Sequence, residues 1–323
     1  MALKQRLLTL ARSAGLFAAA RHATGSRLRI LAYHGLWITP GFQFGDTLFM
    51  GPDQFEARMA RLKRSGLPVL PLGEAIERLS ERTLPDAAVA ITIDDGWSST
   101  FSHMLPVLEA FELPATLYAT TWYSGRDLPV VNIAAAYLIA AAGRSDLDVQ
   151  ATAAAIDALP IGERLDALRA LGRKLGIDEA WLELRQFHLM SAGELAEAHR
   201  RGLDVQLHTH RHIDLETEID ALPDEIVANR DFLAAAIPGG RFDHFCYPSG
   251  STHPRAPALL AASGIRSATL DVEGLNPPSA DPFALRRLLD GRTISDVEFD
   301  AYLAGALHYA GSVRKLLSLN APA

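Results

Sequence analysis

The chain has 323 residues, 49% of them hydrophobic and 21% charged, with a formal net charge of −7. This composition excludes a disordered or low-complexity protein and supports a large buried core, in one large domain or two small ones. It lacks the concentrated excess of Lys and Arg that nucleic acid demands. Its single cysteine, Cys246, excludes an intrachain disulfide or a Cys-rich zinc site, so any transition metal must be held by His and carboxylate.

Residues 1–27 read as a basic N-terminal helix or leader. Lys4, Arg6, Arg12, Arg21, Arg27 and Arg29 fall in the first thirty positions with no acid, and the first carboxylate is Asp46. Leu3, Leu7, Leu10, Ala14 and Phe17 recur at helical spacing, but Arg12 breaks the apolar run and leaves neither a signal-peptide core nor a spanning helix. The expected location is therefore cytoplasmic or peripherally membrane-associated. The favoured reading of the stretch is a helix packed on the domain or a loose leader, and the alternative is a basic amphipathic helix on an anionic membrane surface.

From residue 28 the pattern becomes short apolar runs alternating with helical stretches, which argues for an α/β fold with a mostly parallel sheet. Strands are predicted at 28–33, 69–70, 88–93, 115–119, 203–207, 244–247 and 267–270. Helices are predicted at 52–65, 74–80, 100–111, 191–201, 223–236 and 254–263. The run at 88–93 is nearly continuous in apolar residues, as expected of a strand covered on both faces. Residues 131–190 break the rhythm with Ala, Leu and helix-forming charges, and read as a helical insertion. Six to eight βα units result, and periodicity alone does not choose between a closed barrel and an open sheet.

Three clusters stand at the C-terminal ends of predicted strands, where α/β folds gather their chemistry. Thr92-Ile-Asp94-Asp95-Gly96 places two adjacent carboxylates after a buried strand, and such a pair calls for a positive partner. His208-Thr-His210-Arg-His212 puts three of the eleven histidines within five residues. Two imidazoles and a carboxylate suit Zn²⁺ with an open position for water. Phe245-Cys-Tyr-Pro-Ser-Gly250 is a strand running into a tight turn.

In this order the clusters resemble the first three motifs of the polysaccharide deacetylase (NodB-homology) family, carbohydrate esterase family 4. The likeness extends through Leu31 to His34, the Phe55 helix, Pro114 to Thr116 and Leu285 to Leu288. It implies a distorted (β/α)₇ barrel over residues 28–300, interrupted by the insertion at 131–190, with 301–323 left as a C-terminal helix and tail.

Carried over by position, Asp95, His208 and His212 hold a divalent metal, by default Zn²⁺ with Co²⁺, Ni²⁺ or Fe²⁺ as alternatives, and Asp94 is the general base. Tyr247, Pro248 and Ser249 face the substrate, with the Ser249 N–H on the developing oxyanion. Trp122, in Thr121-Trp-Tyr123, is placed to stack on a sugar ring. His210 lies between matched ligands and is expected outside the metal's coordination shell.

Two departures stand out. Cys246 occupies the position where the family carries an Arg that orients the base. Arg287 is the expected substitute, with Arg286 as its rival, and Cys246 itself is expected to be structural. The family's later general-acid His is also missing, and His34 is the candidate in its place.

The implied activity is hydrolysis of an N-acyl amide on an amino sugar of a polysaccharide, oligosaccharide or glycoconjugate. The alternatives are a hydrolase of another non-peptide C–N bond, such as a deformylase of a lipid-linked sugar or a cyclic amide hydrolase, and a catalytically silent carbohydrate-binding barrel. Nothing in the sequence sets the oligomeric state.

Overall fold

In the computed structural model, residues 3–45 and 47–307 are described. Two helices, α1 (Leu3–Ser13) and α2 (Leu16–Ala23), precede β1 (Arg29–Tyr33). Short strands β2 (Gly35–Leu36) and β3 (Phe49–Met50) pair in a small side sheet, and α3 (Pro52–Arg64), α4 (Leu72–Ser80) and β4 (Val89–Ile93) follow. A π-helical turn at Thr100–Met104 leads into α5 (Leu105–Ala110), and β5 is Thr116–Ala119. The insertion folds as α6 (Val131–Ala141), α7 (Val149–Asp157), α8 (Ile161–Leu175) and α9 (Ala180–Glu183). The repeat resumes with α10 (Ala192–Arg200), β6 (Asp204–Leu207), α11 (Leu222–Ala236), β7 (His244–Cys246), α12 (Ala256–Ala262), β8 (Ser267–Glu273), β9 (Leu285–Leu289) and α13 (Asp296–Leu303).

Seven strands close a parallel barrel in the order β1-β4-β5-β6-β7-β8-β9, with β9 returning to β1 at Leu31↔Leu288 and Ala32↔Leu289. The (β/α)₇ expectation is met. The period-two alternation of strand side chains divides the apolar residues between two sets. Leu31, Tyr33, Ile91, Ile93, Phe245 and Leu288 point outward and join Phe55, Met59, Ile226 and Leu260 of the surrounding helices in the main core. Ile30, Ala90, Tyr118, Cys246 and Leu285 form a second set, which Leu72, Ala75 and Leu79 of α4 complete. A Cβ on Gly73 would lie 3.0 Å from His244 Nε2, so any larger residue there would press on the start of β7.

The sequence reading differs from the fold in four places. Val69-Leu70 is no barrel strand: Val69 makes one isolated bridge to Val89, and the chain turns straight into α4. The seventh strand is β9, whose Leu-Arg-Arg-Leu-Leu run hides a buried strand behind two arginines. The N-terminal stretch is two helices rather than one, separated at Gly15 by a left-handed turn (φ 76°). The predicted helix at 100–111 opens as a π turn ahead of Pro106, which has no N–H to donate. The expected C-terminal tail from 308 onward lies outside the described residues.

α6 is apolar on all sides and becomes the centre of a separate core, in which Val131, Tyr137 and Leu138 pack with Leu168, Trp181 and Phe187. Trp37, Phe49 and Trp97, from the segments just past β1 and β4, belong to the same cluster. The insertion is thereby seated at the end of the barrel where those strands terminate. α1 and α2 lie against α13 through Leu8, Ala11, Phe17, Ala301 and Ala304.

Candidate functional site

β4 delivers the first two groups. Its strand hydrogen bonding continues one residue further, Asp94 N–H donating to Tyr33 O, and the chain then reverses through left-handed backbone at Asp95 (φ 69°) and Gly96 (φ 90°). Asp94 and Asp95 are both buried, yet turned to different neighbours. Asp95 Oδ2 accepts a hydrogen bond from Trp97 Nε1 at 2.8 Å, leaving Oδ1 toward the histidines. Burial would raise Asp95, but the His208 and His212 imidazoles hold it well below the ordinary carboxylate range.

His208 ends β6 and is fixed at both ends. Its backbone N–H donates to Asn229 Oδ1 of α11 at 3.0 Å, and its Nδ1 lies 2.8 Å from Cys246 O. A carbonyl can only accept, so Nδ1 carries a hydrogen and Nε2 is the nitrogen turned to Asp95, the atom that would ligate a metal. Left-handed backbone at Thr209 (φ 60°) and His212 (φ 59°) then turns the chain back, bringing the two imidazoles together with ring centroids 4.9 Å apart. His210 points the other way. Its Nδ1 meets Thr121 Oγ1 at 2.9 Å and its carbonyl takes the N–H groups of Thr121 and Trp122, which pins the loop after β5.

The donor atoms of Asp95, His208 and His212 lie within 4.8 Å of one another. His208 Nε2 is 3.3 Å and His212 Nε2 3.5 Å from Asp95 Oδ1. Donors each about 2.0–2.1 Å from a tetrahedral zinc stand about 3.3–3.4 Å apart. The spacing and the mixed imidazole and carboxylate chemistry both fit a small divalent metal.

Asp94 is held by a different set. Arg287 Nη1 reaches its Oδ1 at 2.7 Å, His34 Nε2 stands 3.7 Å from its Oδ2, and Cys246 Sγ is 3.5 Å from Oδ2. Burial by itself would push Asp94 up, but the Arg287 charge, followed by His34, brings it below its ordinary value. Arg287 is fully buried on β9. Its Nε donates to Leu270 O at 3.0 Å, Nη1 also reaches Thr92 Oγ1, and Nη2 pairs with Asp271. Arg286 instead packs along Gly274, and its backbone is held by Asn276. Cys246 stays a neutral thiol, because burial raises it further than Arg287 lowers it.

A cavity of about 590 Å³ opens over these groups. His34, Asp94, Asp95, His208, His212, Ser249 and Asp271 form one side, and Tyr123, Val130, Asn132, Ile133, Asp157 and Leu189 bring the insertion and its flanks to the other. Three residues expected at the substrate surface do not line it. Tyr247 alternates outward on its strand, and its hydroxyl donates to Phe283 O at 3.0 Å. Pro248 is buried behind Ser249, whose own backbone is left-handed (φ 53°). Trp122 has the guanidinium of Arg126 4.0 Å from its ring and that of Arg164 at 5.7 Å, and its neighbour Tyr123 faces the cavity instead.

Asp271, Trp97 and Asn229 were not singled out by the sequence. Asp271 sits one residue past the predicted end of the strand at 267–270, and Trp97 directly follows Gly96, so position could have flagged both. Asn229 lies in mid-helix with no local signal.

The sequence profile of the family described as polysaccharide deacetylase matches residues 81–268. YxkH of Bacillus subtilis (strain 168), named for the same family, is 31% identical over 94 residues, which are 29% of this chain and 32% of that protein. The chain is therefore matched to about a third of that relative's length. Among solved structures, the deacetylase PplD from Streptococcus pyogenes, in complex with acetate, superposes with a TM-score of 0.62 at 17% identity, covering 87% of this chain and 99% of its own. IcaB from Ammonifex degensii gives 0.61 at 19%, covering 87% and 98%. At such identities the likeness is one of fold.

Proposed function

Since the chain belongs to the polysaccharide deacetylase family, whose enzymes are hydrolases of carbon–nitrogen bonds other than peptide bonds, we propose that it removes an N-acyl group, with acetyl the first choice, from an amino sugar of a glycan or glycoconjugate in a metal-dependent reaction. The observation that carries this reading is the pair of adjacent acids with separate partners. Asp95 shares its Oδ1 with two imidazoles at metal-ligand spacing, while Asp94 stands beside them on Arg287.

Asp95, His208 and His212 would hold the metal, Zn²⁺ by default, with Co²⁺, Ni²⁺ or Fe²⁺ suited to the same donors. Such an ion supplies Lewis acidity, lowering the pKa of water toward neutrality and polarising the amide carbonyl. The chain's own groups do the rest. Asp94, kept ionised by Arg287, takes a proton from the attacking water. Arg287 positions it and is itself steadied by Asp271. The backbone N–H of Ser249 donates to the oxygen that gains charge as the carbonyl becomes tetrahedral. His34 gives a proton to the departing amine, and its place at 3.7 Å from Asp94 supports the assignment.

The insertion's wall supports a short glycan, or one linked to a lipid, over the interior of a long polymer, since a strand threading the site would have to pass Tyr123, Ile133 and Asp157. Deformylation of a lipid-linked sugar, cyclic amide hydrolysis and a silent binding barrel are the competing outcomes.

The test is acyl release from a panel of N-acetylated and N-formylated oligosaccharides, with metal supplied or chelated. Acetate released in a chelator-sensitive manner is expected, and His34→Ala should lower kcat by about 10²–10⁴-fold. Metal bound stoichiometrically with no acyl release from any substrate would sink the hydrolase reading.

A further inference from the structure

The N-terminal helix pair leaves a second apolar stripe outward, beside the one that packs on α13. α1 attaches to α13 through Leu8 and Ala11 and through the ion pairs Lys4 to Glu298 (2.7 Å) and Arg12 to Asp300 (2.9 Å). Its opposite side carries Leu3, Leu7 and Leu10, at i, i+4 and i+7, which are 73%, 58% and 66% exposed. Leu16, at the start of α2, extends the exposed leucines. Four of the nine large apolar side chains left exposed among the described residues therefore lie within fourteen positions.

The charge of the N-terminal segment itself has one sign. No Asp or Glu occurs before Asp46, although the whole chain is net acidic. Arg6 flanks the leucine stripe without an acid partner among the described residues. Arg21 of α2 reaches Ser65 O at the end of α3, whose last turn adds Arg64, while Arg61 and Lys63 there are paired with Asp296, Asp300 and Glu112. The nearby acids Asp296, Glu298 and Asp300 are already committed to Arg58, Arg61, Lys4 and Arg12.

We propose that the outer face of α1, with Leu3, Leu7 and Leu10 at its centre and a rim of cations, docks on the surface of an anionic lipid bilayer. An exposed apolar stripe with Arg6 beside it and Arg21 and Arg64 nearby, none of them paired with an acid among the described residues, matches an interface whose headgroups are negative and whose acyl region lies just beneath. It is poorly matched to a second copy of itself, because two such rims would repel. The segment 308–323 brings Arg314 and Lys315 and no acid, so charge does not draw it to this face either.

The measurement is co-sedimentation of the full chain with vesicles of phosphatidylcholine alone or mixed with phosphatidylglycerol. About tenfold stronger partitioning onto the anionic vesicles is expected, falling as salt is raised. The triple variant Leu3→Ser/Leu7→Ser/Leu10→Ser should lose that binding by a similar factor while keeping its thermal melt and its turnover on a soluble oligosaccharide. Equal pelleting with both vesicle types, or binding unchanged in the triple variant, would overturn the proposal. So would a dimer in solution that the triple variant dissolves, which assigns the stripe to a second copy. Vesicle binding gained only after Leu316→Ser/Leu317→Ser would assign it instead to residues 308–323, with the same consequence.

Discussion

Two buried arginines on either side of β9 make the same kind of contact with opposite results. Arg287 lies between Asp94 and Asp271, and Arg58 of α3 between Asp290, just past β9, and Asp296. Burial pushes Asp94 and Asp290 upward alike. Asp94 nevertheless falls below its ordinary value, whereas Asp290 stays raised at about 6. The difference is the balance of nearby charge. Asp94 has Arg287 at 2.7 Å with His34 and His208 close by, all positive or protonatable. Asp290 has Arg58 alone at 2.9 Å, and that guanidinium is shared with Asp296 and with Ile294 O. An ion pair sealed in a core is therefore no sign of chemistry in itself. What sets Asp94 apart is that it opens on a cavity beside a candidate metal site, where a surplus of positive charge keeps it ionised.

The largest effect should come from giving both carboxylates the same substitution. Asp94→Asn is expected to lower turnover by about 10³-fold or more with metal still bound, and Asp290→Asn to leave kcat within a few fold. His208→Ala should lose both metal and turnover. Metal content by elemental analysis beside acyl release separates these outcomes, and equal metal loss in Asp94→Asn and His208→Ala would remove the division between base and ligand.

Replacing the arginines is the next sharpest contrast. Arg287→Met should raise Asp94. In the proposed role Asp94 acts as the carboxylate, so activity should be present above its pKa and lost as pH falls through it, and the acid limb of kcat/KM should move to higher pH. Arg58→Met should leave that limb in place and destabilise the fold by about 3–5 kcal/mol, the cost of stranding a buried charge. An unmoved acid limb in Arg287→Met would break the comparison.

Stability gives a smaller test. Asp290 is raised from 3.8 to about 6, so between those values the folded chain keeps a proton that the unfolded chain has released. Stability from this group is therefore present at low pH and lost as pH rises through the window, by roughly 3 kcal/mol. The Tm of the wild type should fall relative to Asp290→Asn between about pH 4 and pH 7. A constant gap would mean the two carboxylates are less different than their surroundings suggest. Cys246→Ala should matter least, within about threefold in turnover, since a neutral thiol adds little to a carboxylate already held by a guanidinium.

The strands at 28–33, 88–93 and 115–119 were legible because burial on both faces forces long apolar runs, and the acids and histidines at their ends were legible because such groups are costly there without a purpose. β9 was not legible as a strand, because two adjacent arginines, inward Arg287 and outward Arg286, interrupt its apolar run, although Arg287 itself was singled out as a site residue. Asp271 escaped for a related reason. β8 runs on to Glu273 through an irregular pairing with β9 between Thr269 and Glu273, and no local pattern announces that irregularity. The insertion was readable as helical, but its role as the far wall of the cavity depends on Trp37, just past β2, and Phe49 of β3, both far away in the sequence. Trp122 misled because an aromatic beside a strand end says nothing of the arginines that cover it.

The pairing of the last strand with the first also governs how the protein is made. As the chain leaves the ribosome, Asp94 and Asp95 emerge more than a hundred residues before His208, and Arg287 follows some eighty later still. Until β9 closes the ring against β1, Asp94 has no guanidinium and the barrel has two open edges seeking partners. Biosynthesis therefore passes through long nascent species with exposed strands and no working centre, so the hazard during synthesis is aggregation rather than premature hydrolysis, and a stop codon before β9 should yield no partial enzyme.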